Sequence, residues 1–202
     1  MQYILHLQKD KKLKRIINPD EPHRLKKRKS SELWVYLCSS IMSQQLSVKV
    51  ADVIYQRFLN LYGGKKPKPE DVLNTPVKTL RSIGLSNAKA TYVREVARFE
   101  IEKGLSGRNV APMDNEAFIA YVTQIKGVGR WTAEMMLMFA LQREDVFSID
   151  DFGIQQAMVR LYHLDTTDRK KLRAEMVRIS EKWKPYRTYA CLHLWNWKDS
   201  QK

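Results

Sequence analysis

Apolar residues return every three or four positions through most of this chain, as in Leu33-Trp34-Leu37-Ile41, Val50-Ile54-Phe58-Leu61 and Ala90-Val93-Val96-Ala97. That spacing keeps one face of an α-helix against a core, and the strict alternation between tight turns that marks β-hairpins is missing. The expected fold class is therefore all-α. Ser30 or Ser31 can cap the first of these helices, Ser47 opens the second and Gly63-Gly64 ends it. Pro67 and Pro69 mark a loop, and short helices are expected over 69–74 and 76–82. Gly84 then breaks the chain before Ser86 starts a longer helix to about Lys103. Asp114 caps a helix that stops at the Lys126-Gly127 step, and another covers 130–140. Further helices are expected over 152–162, from a Thr166 or Thr167 cap to Trp183, and from Pro185 to about Trp197.

The 202 residues, 44% of them apolar, can bury one sizeable core or two small domains sharing a cleft. No run approaches the roughly 18 apolar residues of a membrane span, and MQYILHLQKDKK lacks the features of a secretory signal. An intracellular protein is expected, in the cytoplasm or nucleoid if the source is bacterial, with no membrane partner. Cys38 and Cys191 lie far apart in apolar surroundings, which suits buried, reduced core residues better than a metal or redox pair. Charge is the strongest bulk signal: 36 Lys and Arg against 22 Asp and Glu leave a net +14. KDKKLKR (9–15) and HRLKKRKS (23–30) could be a solvated basic lead-in, but Lys89, Arg94, Lys126, Arg130 and Lys182 spread the excess along the chain. A polyanion, nucleic acid before a membrane surface, is the implied partner.

Two glycines bracket Val128 in IKGVGRWTAEMM (125–136), between two expected helices. Such a turn exposes amides with no side chain in front of them and can hold a phosphate. Spacing excludes a triphosphate-binding loop, and no strand precedes the turn as a dinucleotide fingerprint requires. A phosphate grip on a long polymer and an ordinary helical hairpin both remain open. In SIDDFGIQQAM (148–158) two aspartates precede an apolar-periodic run. At least one should cap the helix, and the same placement aims an ionised carboxylate beyond the helix N-terminus. Facing a nucleotide sugar, that anion would stabilise an oxocarbenium-like state and could orient or deprotonate a water. Trp131, Trp183, Tyr186, Tyr189, Trp195 and Trp197 offer faces on which an electron-poor, alkylated base could stack, although core packing explains most such side chains.

Four stretches, in this order, carry a resemblance: IMSQQLSVKVA (41–51), IKGVGRWTAEMM (125–136), VFSIDDFGIQQ (146–156) and WKPYRTYACLHLW (183–195). Together they resemble the helix-hairpin-helix (HhH-GPD) DNA glycosylases, and specifically their alkyladenine branch. The resemblance implies a domain over 31–202 of two helical lobes flanking a cleft. The hairpin lobe would take about 45–140 and the other 31–44 plus 141–202, with residues 1–30 a basic lead-in and no N-terminal sheet domain. It implies Asp151 as the catalytic carboxylate, with Asp150 a cap or support. Trp131, Trp195, Met135 and Tyr189 would form the base pocket. Gln44, Gln45 and Leu46 would probe the minor groove, Gln45 or Leu46 filling the gap left by a flipped nucleotide. Gly127, Val128, Gly129, Arg130 and Thr132 would hold the DNA backbone, and the carbonyls of Thr123, Ile125 and Val128 could hold a structural Na+ or K+.

Strand-cutting members of the family carry a lysine where this chain has Trp131, so base removal by water without strand cleavage is implied. An iron–sulfur cluster needs four cysteines, and this chain has two, so no cluster and no required cofactor are expected. The implied partner is duplex DNA containing alkylated purines, bound by a monomer. A non-catalytic DNA-structure-binding module and a glycosylase for oxidised or deaminated bases are the alternatives.

Overall fold

Twelve α-helices form in the described residues of the computed structural model, which are 1–25 and 33–201, and no strand occurs among them. The Ser30 and Ser31 caps lie outside those residues. Contacts divide the chain into two compact units, Lys27–Met136 and Met1–Lys26 with Leu137–Lys202.

In the Lys27–Met136 unit, α6 (Asn87–Glu102) is the element against which others are laid: α2 (Leu33–Ser43), α4 (Pro69–Asn74) and α5 (Val77–Ser82) all pack on it. The reason is its apolar stripe, since Ala90, Val93, Val96 and Ala97 are fully buried. The expected caps do their work. The Ser47 side chain accepts from the Val50 amide to start α3 (Val48–Asn60), and Ser86 does the same from Lys89 to start α6. Asp114 Oδ1 accepts from the Ala117 amide at 2.7 Å and starts α8 (Asn115–Val122). That helix ends four residues before the expected Lys126-Gly127 step, which leaves a longer turn ahead of α9 (Arg130–Phe139). A single short turn of helix, α7 (Gly107–Val110), has no periodicity by which to be read from sequence. Helix α2 packs against α3 and α6 in this unit, so residues 33–43 group with the hairpin and not with 141–202 as expected.

The second unit is built on α10 (Phe152–Tyr162) packed along α12 (Arg187–Asp199), with α11 (Arg169–Ser180) and a 3-10 turn at Glu181–Trp183 beside them. Asp168, not Thr166 or Thr167, caps α11, its Oδ1 accepting from the amides of Lys170 and Lys171. Thr167 is instead drawn into a turn on Asp165. The Lys184-Pro185 bond is cis and α12 starts at Arg187, later than a helix-opening Pro185 would place it.

Residues 1–25 of the basic lead-in are part of this core. Residues of α1 (Gln2–Leu7) and of a 3-10 turn at Leu13–Ile16 bury Tyr3, Ile4, Leu7 and Leu13, and the charges that dominate the sequence there hide this short apolar pattern. Asp10 ties it down by accepting from the amides of Lys12 and Leu13, from Tyr162 Oη at 2.8 Å and from Trp183 Nε1 at 3.2 Å. Cys38 and Cys191 are both free and fully buried, and burial pushes the Cys38 thiol pKa up. No helix among the described residues is long and apolar enough to cross a membrane.

Candidate active site

Asp151 is the N-cap of α10. Its Oδ1 accepts from the Ile154 amide at 2.9 Å, the capping bond that the sequence predicts. The same oxygen accepts from Trp195 Nε1, also at 2.9 Å, which no local pattern announces because 44 residues separate the two. Asp151 as a whole is 9% exposed, so the residue at the start of this helix is largely shielded from water. Gly153 gives the arrangement room: a Cβ there would stand 3.1 Å from Asp151 Oδ1 and 3.1 Å from Trp195 Cδ1, a tight fit that would require the carboxylate or the indole to shift by a few tenths of an ångström. The approach to Asp151 is fixed from behind: its amide donates to Ser148 O, and Gln155 Nε2 donates to Ile149 O at 2.8 Å. Asp150, expected as a cap or support, forms a bidentate ion pair with Arg173 on α11. Next along, Phe152 is 71% exposed, a large aromatic ring turned to solvent beside the carboxylate.

In the other unit, the turn between α8 and α9 sets its two glycines to different tasks. Gly127 has φ +92°, and a Cβ on it would fall 2.3 Å from the Tyr92 ring, so both conformation and contact demand glycine. Nothing lies within 4 Å of a Cβ on Gly129, so the space in front of that residue is open. Val128 N donates to Ile125 O at 3.0 Å to close the turn, and the first intrahelical bond of α9 runs from Ala133 N to Gly129 O. The amides ahead of that bond have no acceptor within the helix, as at any helix N-terminus, the setting in which a phosphate can be held.

Arg130 behaves differently from its expected phosphate contact. Its Nε donates to Glu134 at 3.0 Å and its Nη1 to Glu116 at 2.9 Å, so the guanidinium braces α8 against α9. The hydrogen bond from Arg130 in turn holds the Glu116 carboxyl below its ordinary pKa. The Thr132 side chain is buried, which leaves its backbone amide as the group it could offer DNA. Trp131 is 42% exposed while Met135 is buried behind it on the same helix. Tyr189 is drawn away from an open pocket: its ring stacks on Tyr3 at 3.9 Å and its hydroxyl donates to Glu144 Oε1 at 2.8 Å. Gln44 is half-buried, whereas Gln45 and Leu46 are both exposed.

Residues 38–184 match the family described as the HhH-GPD superfamily of base excision DNA repair proteins. The chain belongs to this superfamily. It is 34% identical over 169 residues to a putative DNA-3-methyladenine glycosylase of Bacillus subtilis, covering 80% of this chain and 58% of that protein's length. Two solved structures are similar over nearly its whole length. A 3-methyladenine DNA glycosylase of Schizosaccharomyces pombe in complex with abasic DNA has TM-score 0.80 and 30% identity, over 97% of this chain and 96% of that one. A DNA-3-methyladenine glycosidase of Bacillus halodurans has TM-score 0.82 and 35% identity, over 97% and 88%. The family match spans the two glycines, Trp131 and Asp151 alike. Trp195 Nε1, Gly153 and Gln155 are additions that the sequence signals too weakly, as one indole, one glycine and one glutamine among many.

Proposed function

We propose that the protein is a monofunctional DNA glycosylase that removes alkylated purines, of the 3-methyladenine and 7-methylguanine type, from duplex DNA and leaves an abasic site. The observation that carries this is the Asp151 carboxylate at the N-terminus of α10, held by donors from Ile154 and Trp195 on one oxygen. Alkylation at N3 or N7 puts a positive charge on the base, so the leaving group needs no proton from the enzyme. What the reaction lacks is a partner for the positive charge that builds on the sugar as the N-glycosidic bond stretches, and a fixed carboxylate supplies it. The same group can orient a water and take its proton as the new C1′–O bond forms. Exposed Trp131 offers the cationic base an aromatic face. With tryptophan at this position no amine is there to form a Schiff base, which favours base removal without strand cleavage.

The names of the Bacillus subtilis and Bacillus halodurans proteins, and the abasic DNA bound by the Schizosaccharomyces pombe enzyme, support the substrate class. Abasic DNA is what such a reaction leaves behind. The protein works as a monomer inside the cell, with the amides of Gly127 and Gly129 on a backbone phosphate while that of Val128 closes the turn. A monovalent cation on the carbonyls of Thr123, Ile125 and Val128 would suit these neutral, hard oxygen donors. Ile125 O keeps a second lone pair after accepting from Val128 N.

The test is Asp151→Asn. Asparagine still caps α10, so folding and DNA binding should persist, while base release should fall at least about 10²-fold. Free bases released from methylated, oxidised and uracil-containing duplexes are to be compared. Full activity of the variant would remove Asp151 from the mechanism, and release from oxidised or uracil DNA alone would replace the substrate class.

A further inference from the structure

Helix α2 stops at Ser43 and α3 starts at Val48, so four residues turn the chain between them. The last carbonyls of any helix lack intrahelical partners, and proteins commonly solve this with a left-handed glycine or asparagine. Here the left-handed residue is Gln45, at φ +58°, a conformation few side-chain-bearing residues adopt without help. The help comes from α6. Lys89 Nζ donates to Met42 O at 3.0 Å and to Gln44 O at 2.6 Å, one bond to the end of α2 and one inside the turn.

An ammonium also suits this place electrostatically, because the C-terminal end of α2 carries partial negative charge. Lys89 is itself held: it occupies the first turn of α6, where its amide donates to the Ser86 cap at 3.2 Å. Partial burial depresses its pKa, as expected for a lysine turned inward. Within the turn, Leu46 N donates to Ser43 O at 3.1 Å, and the outcome is that Gln45 and Leu46 face solvent, Leu46 being 37% exposed. Val48, just beyond, is 79% exposed, so the turn presents an apolar tip that the protein's own core does not cover. On a chain of net charge +14, a lysine at such a place would ordinarily be read as a phosphate contact. Its two backbone acceptors give it a different task.

We propose that Lys89 is a positioning residue that locks the Gln44–Leu46 turn, so that Gln45 and Leu46 are preformed to fill the space a flipped nucleotide leaves. The inference rests on the base-flipping function proposed above. A preformed turn pays no ordering cost at the moment of flipping, so base release from an intact pair depends on the lock. When the lesion sits in a mismatch, extrusion is easier and that dependence weakens.

Lys89→Met keeps the alkyl stem and removes the donors, and Lys89→Arg keeps charge and donors. Two measurements are needed: amide hydrogen exchange over residues 43–47 in the free protein, and single-turnover release of 7-methylguanine paired with cytosine or mispaired with thymine. Lys89→Met should speed exchange in the turn and slow release opposite cytosine by about tenfold, less than the roughly hundredfold that a full 1 Å misplacement of a reacting group can cost. The deficit should be smaller opposite thymine, and Lys89→Arg should recover most of both effects. Unchanged exchange, unchanged release opposite cytosine, or equal deficits in the two duplexes would each overturn the proposal. If the wild-type protein released no base, the glycosylase function and the gap-filling role would fall together, while faster exchange in Lys89→Met would still establish the lock itself.

Discussion

Two donors from distant parts of the chain meet on Oδ1 of Asp151, and they are not equivalent in purpose. The Ile154 amide belongs to the helix and would be capped by almost any short polar side chain. Trp195 Nε1 has no such structural obligation and fixes the carboxylate from the side. Trp195→Phe retains an aromatic ring over the first turn of α10 and removes only the donor. Base release should fall about tenfold, the cost of one hydrogen bond to a charged group, with little change in affinity for DNA containing an abasic-site analogue. An equal loss of rate and affinity would instead make the indole a binding surface. At this scale the sequence announces the carboxylate, because a cap is a local feature. It offers Trp195 as a stacking face but is silent on the bond from its Nε1 to Asp151, because 44 residues lie between them. Single residues also mislead when their chemistry suits two partners. Arg130 can grip a phosphate or a carboxylate, and it grips Glu116 and Glu134; Tyr189 can line a pocket or a core, and it stacks on Tyr3.

The hairpin shows the same limit for elements. A pair of glycines between helices is legible as a turn, and Ser47, Ser86 and Asp114 mark helix starts where they are expected. What spacing cannot reveal is that Gly127 is packed and Gly129 is not. This yields opposed expectations for the same substitution. Gly127→Ala would force a methyl to 2.3 Å from the Tyr92 ring at positive φ, and should destabilise the fold by about 2–4 kcal/mol. Gly129→Ala meets nothing within 4 Å, so the unfolding midpoint should move little. Its methyl nevertheless stands in the open space before the amides of the turn, and DNA affinity should drop about tenfold or more. Thermal unfolding and fluorescence-polarisation binding of the two variants separate these effects. Equal stability loss in both would remove the distinction between a packed and an open glycine. Helix α7 fell below legibility because four residues are too few to establish a 3.6-residue period, and α1 because no helix-start residue announces it and the lysines that follow dominate its surroundings.

For the molecule as a whole, the two ends of the chain form one unit, and the first 25 residues are built into it and not appended to it. Tyr3 stacks on Tyr189 of α12, Tyr3 Oη donates to His23 O, and the His23 ring meets that of His193 edge-on at 4.5 Å. His193 is 3% exposed and its Nε2 has no hydrogen-bond partner among the described residues, so a proton there would be buried without an acceptor. Burial first, and the neighbouring His23 second, push its pKa down to about 4. His23 is shifted in the same direction by its own burial. Unfolded, His193 would titrate near 6.5, so between those values the unfolded chain binds a proton that the native protein refuses. Stability therefore rises with pH across that window and is lost as the solution is acidified from about 6.5 toward 4, by up to about 3 kcal/mol for this residue. His193→Leu removes the titrating group while keeping an apolar side chain in the core. Chemical unfolding at pH 7 and pH 4.5 should show a large loss in the wild-type protein and a clearly smaller one in the variant. An identical loss in both would place the acid sensitivity elsewhere.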